Sequence, residues 1–125
     1  MSPRRVLLVD DEEEIREVAG MSLGLVGGWQ VETCACGADA IRLAAVAPPD
    51  VIVLDVMMPG LDGPATYSEL QSDARTRSIP VIFLTAKAQP AEKRRLAELG
   101  VCGVIAKPFD PLTLASEVEA LLRGH

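Results

Sequence analysis

At 125 residues, 49% apolar and 24% charged, the chain can bury a core without staples and has the balance of a soluble globular domain. No apolar run nears the roughly 20 residues of a membrane span, and Val6–Val9 after the basic Met1-Ser2-Pro3-Arg4-Arg5 is too short for a signal-peptide core. A net charge of −6 argues against direct nucleic-acid binding; three cysteines (Cys34, Cys36, Cys102) and one histidine, His125, argue against a disulfide framework or a zinc site.

The first apolar run, Val6-Leu7-Leu8-Val9, is not interrupted by polar residues, so it predicts a strand buried on both faces; Asp10-Asp11 ends it. Glu12-Glu13-Glu14 then reads as the solvated first turn of a helix, favourable to its dipole. That helix carries Ile15, Val18, Ala19, Ser22 and Leu25 inward and stops at Gly27-Gly28. Gln30 to Cys34 has mixed polarity, which suits an edge strand. Ala38 to Ala47 predicts a second helix, ended by Pro48-Pro49.

Val51-Ile52-Val53-Leu54 is the next buried strand, and Asp55 ends it. A helix beginning near Pro64 turns Tyr67 and Leu70 inward. Val81-Ile82-Phe83-Leu84 ends in Thr85. Pro90 opens a helix that carries Leu96 and Leu99 and closes at Gly100; its Lys93-Arg94-Arg95 reads as a solvated face, with a partner-docking patch as the alternative. Val104-Ile105-Ala106 is followed by Lys107. Asp110-Pro111 caps and starts the last helix, which buries Leu112, Ala115, Val118 and Leu122.

A β-α unit repeated five times predicts an α/β fold, a parallel sheet between two helical layers, as one domain over residues 1–125. Ligands of such sheets bind at the carboxyl ends of the strands. Those ends deliver Asp10, Asp11, Asp55, Thr85 and Lys107 to one edge. Each has an ordinary explanation alone: a cap, a turn, a strand end, a solvated charge. Together they crowd three carboxylates at a cost in repulsion that needs a return. Three carboxylates and one ammonium sum to −2, which calls for a divalent cation. All-oxygen ligands favour Mg²⁺, with Mn²⁺ or Ca²⁺ as alternatives. The neutralised site could then accept a phosphoryl group, with Asp55 as nucleophile and Thr85 and Lys107 on the phosphoryl oxygens.

The stretches Val9-Asp10-Asp11-Glu12, Leu54-Asp55-Val56-Met57-Met58-Pro59-Gly60-Leu61-Asp62-Gly63, Leu84-Thr85-Ala86 and Lys107-Pro108-Phe109 resemble, in order and spacing, the receiver (response-regulator) domains of two-component signalling. The resemblance covers essentially the whole chain. It implies a flavodoxin-like five-stranded parallel sheet of order 2-1-3-4-5. It makes Asp55 the phosphoacceptor and a phosphohistidine on a sensor histidine kinase or phosphotransfer protein the donor. Asp10, Asp11, Asp55 and the Met57 backbone carbonyl become the Mg²⁺ ligands, Thr85 a group that moves on phosphorylation, and Lys107-Pro108 a cis peptide.

The implied protein is a cytoplasmic signalling domain rather than an enzyme, catalysing only its own phosphorylation and dephosphorylation. It is a monomer, with a phosphorylation-dependent dimer as the alternative. Because the chain stops soon after the last helix, the expectation is a single-domain receiver acting through another protein, as a relay intermediary or a diffusible signal, unless the chain is an excised piece.

Departures from the family pattern bear on the output. Val104 stands where an aromatic switch residue is common, so readout is expected through backbone and helix shifts. Cys102 and Gly103 replace the acidic pair of receivers attached to winged-helix DNA-binding domains. Met57 and Lys87 occupy the positions that tune phosphoryl lifetime. Two other classes compete. An aspartyl-phosphate phosphatase of the dehalogenase type would carry its acid at position 57, which is Met57. A pseudo-receiver that only binds partners would have lost the acidic pair, the acceptor or the lysine, and this chain keeps them all. An FMN-binding flavodoxin would need a phosphate-cradling first loop, where Asp10-Asp11-Glu12-Glu13 would repel phosphate.

Overall fold

The computed structural model describes residues 4–87 and 89–124; Met1, Ser2, Pro3 and His125, on which the leader and zinc readings drew, lie outside the described residues. Five strands alternate with five helices in the expected order: β1 (Arg5–Val9), α1 (Glu13–Met21), β2 (Gln30–Cys34), α2 (Gly37–Val46), β3 (Val51–Asp55), α3 (Gly63–Gln71), β4 (Val81–Thr85), α4 (Pro90–Ala97), β5 (Gly103–Ala106) and α5 (Leu114–Arg123). All strand pairs are parallel and the sheet order is β2-β1-β3-β4-β5.

Three of the unbroken apolar runs become the interior strands β1, β3 and β4, while Val104-Ile105-Ala106, also read as buried on both faces, lies in β5 at the second edge and is mostly half-buried. Every residue of β3 and β4 is buried, because helices cover both faces of the sheet. One face builds a core from Leu7, Ile52, Leu54, Tyr67, Leu70 and Phe83. The other builds one from Val6, Leu8, Leu23, Val53, Ile82 and Leu114. Mixed-polarity β2 lies at the sheet edge, exposed or half-buried along its length, as its composition requires.

Three helical expectations need correction. A π-helical turn, Ser22–Val26, continues α1. Its extra residue per turn rotates the following side chains off the 3.6-residue phase. Leu23, four residues after buried Ala19, is fully buried, while Val18, which precedes the turn, and Leu25 are exposed at 44% and 80%. Asp110-Pro111 opens a separate turn: the Asp110 carboxylate accepts from the Leu112 N–H at 2.9 Å, and α5 starts at Leu114. Leu112 is thus exposed and Leu114 takes the core position. Leu99 lies beyond the end of α4 and is likewise exposed. The Lys93-Arg94-Arg95 face is solvated as read, with Arg95 paired to Glu92.

Candidate functional site

Strand order reverses between β2-β1 and β3-β4, which leaves a crevice at the carboxyl ends of β1 and β3. Asp10 follows β1 and is held in the sheet by its N–H on the Cys34 carbonyl, 3.2 Å. Asp55 is the last residue of β3, and the next N–H, of Val56, donates to the Leu84 carbonyl at 2.9 Å. Thr85 ends β4, and its carbonyl accepts from the Lys107 N–H at 2.8 Å, which ties the lysine to the same edge. The Lys107–Pro108 peptide is cis.

Carboxylate oxygens of Asp10, Asp11 and Asp55 lie within 4.8 Å of one another. Asp10 and Asp55 are buried, and Asp11 is exposed at the mouth. The Lys107 ammonium stands 3.0 Å from Asp10 Oδ2 and 3.2 Å from Asp55 Oδ1. The other Asp10 oxygen accepts from the Glu12 N–H at 2.9 Å. Asp55 Oδ2 is buried and accepts no hydrogen bond from the described residues.

Burial, and then the charge of Asp10, lift the Asp55 carboxyl to about 6 against the pull of Lys107. Burial also opposes the Lys107 charge. The bond to Asp10 and the charges of Asp10 and Asp55 outweigh it, so its pKa lies above the ordinary lysine value. One ammonium therefore serves a set of carboxylates that it cannot neutralise alone. The unpaired Asp55 oxygen, the all-oxygen donors and their close spacing fit a hard divalent cation.

The Met57 side chain is exposed, while its backbone N–H lies near enough to the Asp55 carboxylate to favour its charged form. The Thr85 hydroxyl is buried and engaged locally: it accepts from the Lys87 N–H at 3.0 Å. The expected residues thus gather at one edge, with Thr85 turned to its own loop.

Three contributors escaped the sequence reading. Glu12 belongs to the charge run read as solvated, yet its carboxylate comes within 3.6 Å of Lys107. The Arg16 guanidinium donates to the Asp10 carbonyl at 2.8 Å, one turn into α1, where only helical spacing could have suggested it. The third is an aromatic pair. Val104 pairs with Phe83 in the ladder, and Phe83 meets Tyr67 of α3 edge-on at 6.1 Å, so the aromatic contact near β5 is supplied from α3. Burial lifts Cys34 to about 11 and raises Cys102, which keeps both as protonated thiols. Among the described residues, no helix is long and apolar enough to cross a membrane.

A family model described as the response regulator receiver domain matches residues 6–119. The "Probable transcriptional regulator ycf27" of Cyanophora paradoxa is 37% identical over 123 residues, covering 98% of this chain and 50% of that protein. The chain spans about half the length of the curated relatives it matches. Among solved structures, the chemotaxis response regulator CheY4 of Vibrio cholerae superposes with a TM-score of 0.88 at 32% identity, over 96% of this chain and 99% of that one. The receiver domain of the sensor histidine kinase PA1611 from Pseudomonas aeruginosa PAO1, described with a magnesium ion coordinated in its active site cleft, gives 0.83 at 30% identity over 98% and 97%.

Proposed function

The chain belongs to the response regulator receiver family of two-component signalling, and from that membership we propose that Asp55 accepts a phosphoryl group from a phosphohistidine of a sensor histidine kinase or phosphotransfer protein in the cytoplasm. The observation that carries the reading is the Asp55 carboxylate: buried, with one oxygen on Lys107 and the other unpaired at the mouth of an acidic crevice.

An Asp55 oxygen attacks the phosphorus, the P–N bond breaks, and its electron pair leaves with the imidazole, which takes a proton from water. The product is an aspartyl phosphate. Asp10, Asp11, Asp55 and the Met57 carbonyl would hold Mg²⁺, which supplies charge neutralisation at the phosphoryl oxygens. Lys107 already lies between Asp10 and Asp55, so a small movement places its ammonium on a phosphoryl oxygen. Thr85 donates to another oxygen by redirecting the hydroxyl that now donates to the Lys87 carbonyl at 3.4 Å. That exchange couples acceptance to the loop after β4, and a partner reads the altered surface.

The test is intact-mass spectrometry after incubation with Mg²⁺ and acetyl phosphate, beside an Asp55→Ala variant and an EDTA sample. One added phosphoryl group, lost in both controls, is expected. If the unaltered protein gains no mass despite measured Mg²⁺ binding, a protein donor is tried next. No adduct with either donor removes the acceptor role and leaves a partner-binding module.

A further inference from the structure

The backbone behind Asp55 is crowded from one direction. Gly63, the first residue of α3, is buried against the end of β3, and its N–H donates to the Val56 carbonyl at 2.9 Å. A Cβ at Gly63 would lie 2.7 Å from the Asp55 carbonyl oxygen and 2.7 Å from the Val56 Cα. Its φ is not positive, so the requirement is space rather than backbone freedom. Ordinary carbon contacts sit near 3.5 Å, so any side chain there must move α3 or the Asp55–Val56 peptide by about 0.8 Å. The opposite side of that peptide is fixed, because Val56 donates to Leu84 of β4.

The segment from Val56 to Asp62 is thereby drawn closed. Its buried Met58 anchors it in the core, Gly60 turns it with φ +74°, and the Asp62 carboxylate caps α3 through the Ala65 N–H at 2.9 Å. Met57, whose N–H lies near the Asp55 carboxylate, rides on this segment.

We infer that Gly63 is a positioning residue for the acceptor: its bare Cα lets α3 press on the Asp55–Val56 peptide and so sets where the Asp55 carboxylate and the Met57 backbone stand. This rests on the acceptor reading above. A displacement of several tenths of an ångström at a reacting group costs one to two orders of magnitude in rate.

A matched control exists in Gly37 at the start of α2. A Cβ there would lie 2.1 Å from Thr66 Oγ1, a side-chain atom that can rotate away, and 3.1 Å from the Leu61 carbonyl oxygen, so it presses on α3 and the same loop without touching the Asp55–Val56 peptide. Gly63→Ala and Gly37→Ala are compared with the unaltered protein for phosphoryl uptake from acetyl phosphate at saturating Mg²⁺. Backbone amide resonances of Val56 and Met57 are recorded in EDTA. The expected result is uptake at least about tenfold slower in Gly63→Ala with both resonances moved. Gly37→Ala should stay within about twofold with both unmoved.

An unaltered rate in Gly63→Ala, unmoved Val56 and Met57 resonances, or equal slowing by Gly37→Ala overturns the assignment and leaves the acceptor role standing. If the unaltered protein takes up no phosphoryl group from acetyl phosphate or from a protein donor, the acceptor reading fails by itself. The resonances then decide whether Gly63 positions Asp55: moved, it does; unmoved, it does not. If Gly63→Ala does not fold, Asp62→Ala loosens the same helix start without adding an atom. Slower uptake with moved resonances supports the assignment, and wild-type behaviour overturns it.

Discussion

The Lys107 ammonium lies 3.0 Å from Asp10 Oδ2, across 97 residues of chain, and in the same position it holds Asp55. A single cation thus makes two buried carboxylates tolerable at one sheet edge. Removing it strands their charge, because neither can reach bulk water.

Lys107→Met, which keeps most of the volume, is expected to lower stability in EDTA by about 3 kcal/mol. That is the low end for a broken buried pair, since Asp55 can take up a proton instead. Millimolar Mg²⁺ should restore most of the loss by supplying the missing charge. Urea titrations with and without Mg²⁺ check this; a variant as stable as the unaltered protein in EDTA would contradict it.

The Asp55 carboxyl sets a pH dependence of defined sign. Its pKa is raised from 3.8 to about 6, so between those values the folded chain holds a proton that the unfolded chain has lost. Stability in EDTA therefore gains from Asp55 as pH falls through about 6, and the gain is absent above it. Asp55→Asn should remove this component and stabilise the chain at pH 7 in EDTA by up to about 3 kcal/mol. Mg²⁺ affinity runs the other way and weakens below pH 6, because a protonated Asp55 is a poor ligand. Parallel stability profiles for variant and parent would refute the assignment.

Thr85 holds the loop after β4 chiefly through the bond it accepts from the Lys87 N–H at 3.0 Å, beside a longer one it donates to the Lys87 carbonyl at 3.4 Å. Thr85→Val keeps the branched side chain and removes the acceptor. A lost bond of about 1 kcal/mol predicts roughly fivefold faster hydrogen exchange at the Lys87 amide. Phosphoryl uptake should persist, because Asp55 and Lys107 are untouched. What should disappear is any exchange change at Lys87 on phosphorylation. Unaltered exchange in the variant would mean that the hydroxyl does not restrain the loop.

The burial of Leu23 in place of Leu25 makes a prediction opposite to the one made by the stripe read from the sequence. Leu23→Ala should cost about 3 kcal/mol, since the side chain is fully buried beneath the turn. Leu25→Ala should stay within about 0.5 kcal/mol, since Leu25 is exposed. Chemical denaturation of both variants separates the two readings, and a reversed ranking would place Leu25 rather than Leu23 in the core.

Much of this protein was legible in its sequence. Unbroken β-branched runs mark strands covered on both faces, and Asp10, Asp11, Asp55, Thr85 and Lys107 follow those runs directly, so a parallel sheet must bring them to one edge. Glu12 and Arg16 were hidden because a charge run gives no direction: Glu12 meets Lys107, which follows β5, and Arg16 reaches back to the Asp10 carbonyl.

Tertiary structure alone decided the rest. The inward stripe read from the sequence runs through Val18 and Leu25, whereas packing placed Leu23, one turn beyond Ala19, in the core. An Asp-Pro pair signals a turn as readily as a helix start, and packing chose the turn, putting Leu114 where Leu112 was expected. The closeness of Gly63 to the Asp55 peptide is likewise a distance between elements. Local sequence can specify which residues end a strand, but how near a helix may approach that end is settled only when both are packed against the same core.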